Sequence, residues 1–278
     1  MAQSLPDPFL EFLIQFTHPE KMLADMPGMS QETCAAIFGL EVDAFRRIKQ
    51  RFADRARKAA GDLLEDSAFA ACVDRLPFKP GDKVVGVGDS ITDDSQSWLE
   101  ILSYLLEIRR SQDAITVINA GNSGDTTSQI ISRFLGVVVQ QPDWIIFFAG
   151  ANDTRLHGQS PRKVLVSIEE TEKNLLMLRK FAADQTSARW VWMTPTTILE
   201  EKVRAFWSTP QSQQMWLNKD LAAISKVILA QKEPVIDLQS VFGSPSNPDL
   251  LLMDGLHPSL NGQKAIVRAL VEKLGNLY

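Results

Sequence analysis

The order of apolar and polar positions divides the chain near residue 80. Before that point apolar residues recur at helical spacing, and no run reads as a strand. Ser30 fits an N-cap for "QETCAAIFG", with Gly39 as its stop. Phe45, Ile48, Phe52 and Ala56 then form one stripe along a second helical segment. Beyond residue 80 come five short, near-continuous apolar runs: "KVVGVGD", "ITVINAG", "DWIIFFAG", "RWVWMTP" and "EPVIDLQ". Such runs suit strands covered on both faces. Between them lie the stripes Trp98–Leu102–Leu105, Ile130–Phe134–Val138, Val164–Ile168–Leu175–Leu178 and Leu217–Leu221–Ile224–Ile228, and "SLNGQKAIVRALVEKLG" supplies a last helix. Ser160 and Pro161 read as the N-cap and first residue of the third stripe. The alternation predicts an α/β domain over residues 81–278: a doubly wound, flavodoxin-like, five-stranded parallel sheet flanked by helices. A helical extension, residues 1–80, precedes it, with the prolines and glycine of "LPFKPGDK" at the boundary.

Composition narrows the class. The 278 residues are 45% apolar and 23% charged, as in an ordinary globular protein, and the net charge of −5 gives no bias toward nucleic acid. The segment "FRRIKQRFADRARK" carries seven basic residues against Asp54 alone, and is expected to be a solvated helix face balanced by acids elsewhere. Cys34 and Cys72 are too few for a disulfide framework. The N-terminus lacks a basic region and makes a poor signal peptide, and no apolar run is long enough to span a bilayer. A cytoplasmic protein is expected.

In doubly wound folds ligands bind beyond the carboxyl ends of the strands. Polar clusters stand there after four of the runs: Gly88, Asp89 and Ser90; Asn119 to Asp125; Gly150, Asn152 and Asp153; and, further on, Asp254 and His257 in "MDGLHPS". Gly86 and Gly88 begin a phosphate-loop pattern, but no third glycine follows, and Asp89, Asp93 and Asp94 would repel phosphate. His18, His157 and His257 form no helical metal pair, so no metal or cofactor is expected. Nucleophilic catalysis remains, with a serine that needs a base and a base that needs an orienting partner. His18 is expected to lie away from the sheet's ligand edge, and His157 to line a pocket beside Arg155. Only His257 has a carboxylate, Asp254, three residues away in a glycine-containing turn, leaving its second ring nitrogen for Ser90.

The blocks "GDSIT", "NAGNSGDTT", "GAND" and "DGLHP" resemble, in order and in setting, those of the SGNH (GDSL) hydrolase superfamily of esterases and lipases. The resemblance covers about residues 81–278. Isoleucine stands where the name-giving motif has leucine, and the first 80 residues have no counterpart in the shared core. The resemblance implies Ser90 as nucleophile, His257 as general base and then acid, and Asp254 as its orienting partner. It also implies an oxyanion hole built from the Ser90 and Gly124 backbone N–H groups and the Asn152 amide.

The loop "TPTTILEEKVRAFWSTPQSQQMW" offers Phe206, Trp207 and Trp216 as a substrate wall or as core aromatics. Asp89, Arg155, His157 and Trp207 are candidate substrate-binding residues. No strongly apolar lid is evident, and Thr196, Thr197, Glu200, Glu201 and Gln211 make the loop polar-rimmed. The expected substrate is therefore a short-chain acyl ester, an acetyl ester above all, of a polar or sugar-like alcohol. Lysophospholipase, thioesterase and acyltransferase activities belong to the same superfamily, and a catalytically silent binding module would share the scaffold. The N-terminal helices can also carry a homo-oligomeric contact.

Overall fold

A computed structural model of the chain describes residues 8–23, 26–158, 162–210 and 212–277. The helical extension comprises α1 (Pro8–Phe16), α2 (Pro19–Met22), α3 (Gln31–Ile37), α4 (Val42–Leu64) and α5 (Ser67–Asp74). Then follow β1 (Lys83–Gly88), α6 (Ser90–Asp93), α7 (Trp98–Arg109), β2 (Thr116–Gly121), α8 (Thr127–Arg133), α9 (Leu135–Val138) and β3 (Trp144–Phe148). The remainder is β4 (Leu156–His157), β5 (Lys163–Val164), α10 (Ile168–Gln185), β6 (Arg189–Met193), α11 (Glu200–Trp207), β7 (Gln214–Met215), α12 (Asn218–Leu229), β8 (Val235–Ile236), α13 (Leu238–Phe242) and α14 (Leu260–Gly275).

The five apolar runs are the five strands of one parallel sheet, in the order β2-β1-β3-β6-β8. Strand alternation divides their side chains between two cores. Val84, Ile146, Phe148, Val191 and Met193 face one, with α7, α13 and α14. Val85, Val87, Ile145, Phe147, Trp190 and Trp192 face the other, with α8, α9, α10 and α12. Burial on both faces is why these strands read as continuous apolar runs. Chain order reverses between β1 and β3, which places the topological switch point, and its crevice, at the carboxyl ends of those two strands.

The extension is not a separate layer. Ala56, Ala59, Ala60 and Leu63 of α4, and Phe69 and Val73 of α5, are buried in the same core as α7 and α14. Phe45, Ile48 and Phe52 instead close a smaller cluster with Ile14 of α1 and Cys34 and Ala35 of α3. The basic face of α4 is solvated and met by acids: Arg57 by Glu107, Lys49 by Glu20, Lys58 by Asp62 and Arg51 by Glu11. Ser30 caps α3 by accepting the Thr33 N–H, and Gly39 takes a left-handed φ of 67° just beyond its end.

Three local expectations are corrected. Ser160 and Pro161 lie outside the described residues, and α10 begins only at Ile168, capped by Ser167. Val164, expected on that helix, sits in β5. The stripe through Phe134 is two short helices, because α8 ends at Arg133 and α9 restarts at Leu135. An unexpected second sheet, β5-β4-β7, is also present and is antiparallel. Its two-residue strands are too short to leave a periodic signature.

Phe69 is fully buried, at 1% exposure, under α14. Phe69→Ala is expected to cost about 3–5 kcal/mol of stability. Urea denaturation should show one transition with a lowered midpoint. Separate melting of the extension, with the main transition unmoved, would contradict the shared core.

Candidate active site

Ser90 is the first residue of α6, immediately after β1, and its position is set from below and behind. Gly121 at the end of β2 packs so tightly on α6 that an added Cβ would lie 2.5 Å from the Asp93 nitrogen. Asp89 turns its carboxylate onto the Ile91 N–H as the helix N-cap. It is buried and, contrary to the expectation for a substrate contact, does not line the cavity described below. Burial pushes its carboxyl up to about 7.

The Ser90 hydroxyl lies 2.9 Å from His257 Nε2, and His257 Nδ1 lies 2.5 Å from Asp254 Oδ2. The other Asp254 oxygen accepts the Leu256 and His257 backbone N–H groups, at 3.0 Å each. Gly255 makes this turn possible with a φ of 72°. Gln263, one turn into α14, joins the halves of the site. Its amide donates to the Ile91 carbonyl at 3.3 Å and to Asp94 at 3.1 Å, and its oxygen accepts the Trp98 N–H at 2.9 Å. Burial alone would raise the Asp254 carboxyl and lower His257. The opposite charges and the hydrogen bond between them prevail, leaving Asp254 below and His257 above its ordinary value.

Gly124 and Asn152 face the same space from β2 and β3. Gly124 has a φ of 86°, and a Cβ there would meet nothing within 4 Å, so the backbone borders an open volume. Asn152 lies in a short 3₁₀ turn, residues Ala151–Thr154, entered through Gly150 at φ 112°. Its amide donates one N–H to the Asp125 carbonyl at 3.1 Å. Asp153 pins that turn by accepting from Thr127 N at 2.7 Å and from Thr171 Oγ1 at 2.7 Å. Arg133 braces the other side, donating to Asp125 at 2.6 Å and to the carbonyls of Ala120 and Gly88.

Ser90, Gly124, Asn152 and His257 border a cavity of about 250 Å³. Arg155, Trp207 and Trp216 line it as well, with the Arg155 guanidinium 5.8 Å from the Trp216 ring centre. Buried Arg155 Nε has no hydrogen-bond partner among the described residues. His157 does not line this cavity. It pairs in the small sheet between Lys163 and Gln214, its buried Nε2 unpartnered among the described residues. Phe206 sits behind Trp207, at 5.1 Å between ring centres. Among the described residues no group of three or more His, Cys, Asp or Glu is arranged to hold a metal ion.

Two expectations about the extension are overturned. An apolar cover exists: Phe12, Leu13 and Phe16 of α1 line the cavity. His18 is not remote, for its ring contacts Asp93 at 2.8 Å and Ser95 at 2.9 Å, just past the nucleophile. The stripe Phe9–Phe12–Leu13–Phe16 was the available signal, but its spacing is equally that of a core helix.

The fold and this serine–histidine–aspartate arrangement fit a hydrolase, and a family match and an esterase relative make the protein a carboxylic ester hydrolase. Residues 87–265 match the model of the GDSL-like lipase/acylhydrolase family, and the chain belongs to that family. An acetylxylan esterase of Geobacillus stearothermophilus is 24% identical over 216 residues, which are 70% of this chain and 94% of that protein. Among solved structures, a lipase/acylhydrolase from Enterococcus faecalis is 25% identical with a TM-score of 0.54, covering 70% of this chain and 96% of its own. A catalytic mutant of the Geobacillus esterase superimposes with a TM-score of 0.59 at 20% identity, over 72% and 97% of the two chains. Catalytic mutants of that esterase change a serine, an aspartate and a histidine, the last two three residues apart. No helix among the described residues is long and apolar enough to cross a membrane.

The ion pair makes a prediction about titration. His257 should hold its proton to a pH above the ordinary 6.5. Asp254→Asn removes the opposing charge while burial remains, so the midpoint should fall. NMR titration of the His257 ring protons would check both, and equal midpoints in the two proteins would refute the coupling.

Proposed function

We propose that the protein hydrolyses short-chain acyl esters, acetyl esters above all, of a polar or sugar-like alcohol through an acyl-enzyme. The observation that carries this reading is the unbroken hydrogen-bonded chain from Ser90 through His257 to Asp254 at the floor of a small cavity. His257 takes the hydroxyl proton as Ser90 Oγ bonds to the acyl carbon. The imidazolium then gives that proton to the departing alcohol oxygen. Water repeats the sequence, with His257 as base, and releases the carboxylic acid and free Ser90. Asp254 holds the ring in the tautomer that leaves Nε2 facing Ser90, and it stabilises the imidazolium.

The negative charge that develops on the acyl oxygen is assigned to the backbone N–H groups of Ser90 and Gly124 and the free N–H of the Asn152 amide. One such donor is typically worth about 3–4 kcal/mol in the transition state. The substrate class rests on the size of the cavity and on Arg155 in its wall. A cavity of about 250 Å³ favours small groups, whereas a long acyl chain gains about 0.8 kcal/mol per methylene only where an apolar tunnel receives it. Arg155, with an unsatisfied donor at the wall, is the candidate for hydrogen bonding to the alcohol portion, with Trp207 as an apolar platform. The Geobacillus relative, named as an acetylxylan esterase, agrees with an acetylated sugar.

Ser90→Ala and His257→Ala are each expected to lower kcat by at least about a thousandfold in folded protein, and Ser90→Ala to abolish labelling by a fluorophosphonate. Near-wild-type turnover in either folded variant would refute the mechanism. Arg155→Ala should raise KM for an acetylated sugar more than for p-nitrophenyl acetate. Equal effects on the two would remove Arg155 from alcohol recognition.

A further inference from the structure

We propose that α1 is a working part of the active site: Phe12 and Phe16 form the wall that limits the size of the group bound beside Ser90. The proposal rests on the reading of Ser90 and His257 as the reacting pair. The family model begins at residue 87, so this wall is an addition to the shared catalytic core.

The wall lies directly against the catalytic base. The Phe16 ring centre is 4.4 Å from that of His257, and Phe12 meets the same imidazole edge-on at 6.0 Å. Phe12 also packs on Phe16 at 5.0 Å and on Phe206 at 5.8 Å, so it joins α1 to α11. Trp207, next to Phe206, comes within 6.1 Å of the His257 ring. Phe12, Phe16 and Trp207 thus all lie against the His257 ring.

The wall is pinned as well as packed. Gln15 donates to Asp94 at 3.0 Å, and its carbonyl accepts the Ser95 N–H at 3.0 Å. His18 and Lys21 meet the same Asp93 oxygen, at 2.8 and 2.6 Å. The other Asp93 oxygen accepts the Ser123 N–H and hydroxyl, at 3.1 and 2.9 Å, one residue before Gly124. Behind the wall, Ile14 is buried against Phe45, Ile48 and Phe52. Hydrogen bonds and an apolar backing thus hold α1 in register with the segments that carry Ser90 and Gly124.

A wall that only supports the fold and a wall that sets substrate size differ in one readout. Loss of support would slow every ester alike, whereas a widened pocket changes the ratio between large and small substrates. The test measures kcat/KM on the full chain for p-nitrophenyl esters from acetyl to octanoyl, and for acetate esters of alcohols of rising size. Each accepted methylene is worth about fourfold in kcat/KM. Phe12→Ala is therefore expected to raise the large-to-small ratio at least about tenfold in one of the two series, with Phe12→Leu in between. Leu13 lines the same cavity and is 36% exposed, so Leu13→Trp should fold and shift the same ratio the other way. Ratios parallel to wild type in both series, for folded Phe12→Ala or for Leu13→Trp, would overturn the proposal. Fluorophosphonate labelling of wild-type Ser90 is scored beside them. Its failure would defeat the catalytic reading and the wall with it, whereas a labelled Ser90 with ratios parallel to wild type would overturn the wall alone.

Discussion

The site depends on one contact, 2.9 Å between Ser90 and His257, made by residues 167 positions apart. Neither residue sits on a long rigid element. Ser90 opens a four-residue helix after β1, and His257 stands in a loop before α14. Their separation is therefore governed by how α14 and the β1–α6 turn share one core. Val84 of β1 and Ile266, Val267 and Leu270 of α14 are all fully buried in that core. Gln263 adds a polar tie at the point where packing alone would leave the two segments free to slide. A buried amide with its hydrogen bonds made strongly favours one register, because any shift leaves polar atoms unpaired.

Four carboxylates shape the electrostatics of this centre in different ways. Asp254 bears its charge beside His257, and two backbone N–H groups help to hold it there. Asp93 is kept below its ordinary value despite burial, because His18 and Lys21 face it. Asp89 and Asp94 hydrogen-bond to no lysine, arginine or histidine among the described residues, and burial pushes them up to about 7 and about 6. Burial is the largest influence on all four, and it is outweighed only where a histidine or lysine hydrogen-bonds to the carboxylate.

Asp93 also joins two parts of the chain with separate origins in the pattern. One oxygen takes the extension through His18 and Lys21, and the other takes the Ser123 turn beside Gly124. A displaced extension would leave a buried carboxylate without the Lys21 ammonium and the His18 hydrogen bond, which is costly in a water-poor setting. The extension, the nucleophile turn and the Gly124 turn are thus coupled through a single side chain.

The succession of elements was legible in the sequence because it is written locally. Both-face burial makes β1, β2, β3, β6 and β8 continuous apolar runs, and the stripes of α4, α7, α12 and α14 have helical period. Ser90, Gly124, Asn152, Asp254 and His257 could be singled out because they stand in polar blocks where a doubly wound sheet gathers its ligands, while their roles came from the family resemblance. Tertiary structure decided the rest. An amphipathic stripe says that a face is buried and not against what, so nothing in the spacing of Phe12 and Phe16 says that they border the cavity. His18 meets Asp93 across 75 residues, a pairing that spacing does not encode. Asp89 and His157 stand in the right blocks, yet a cap bond turns one inward and a two-residue strand carries the other away. Periodicity determines which elements form. Packing between distant elements determines which side chains share the space above Ser90.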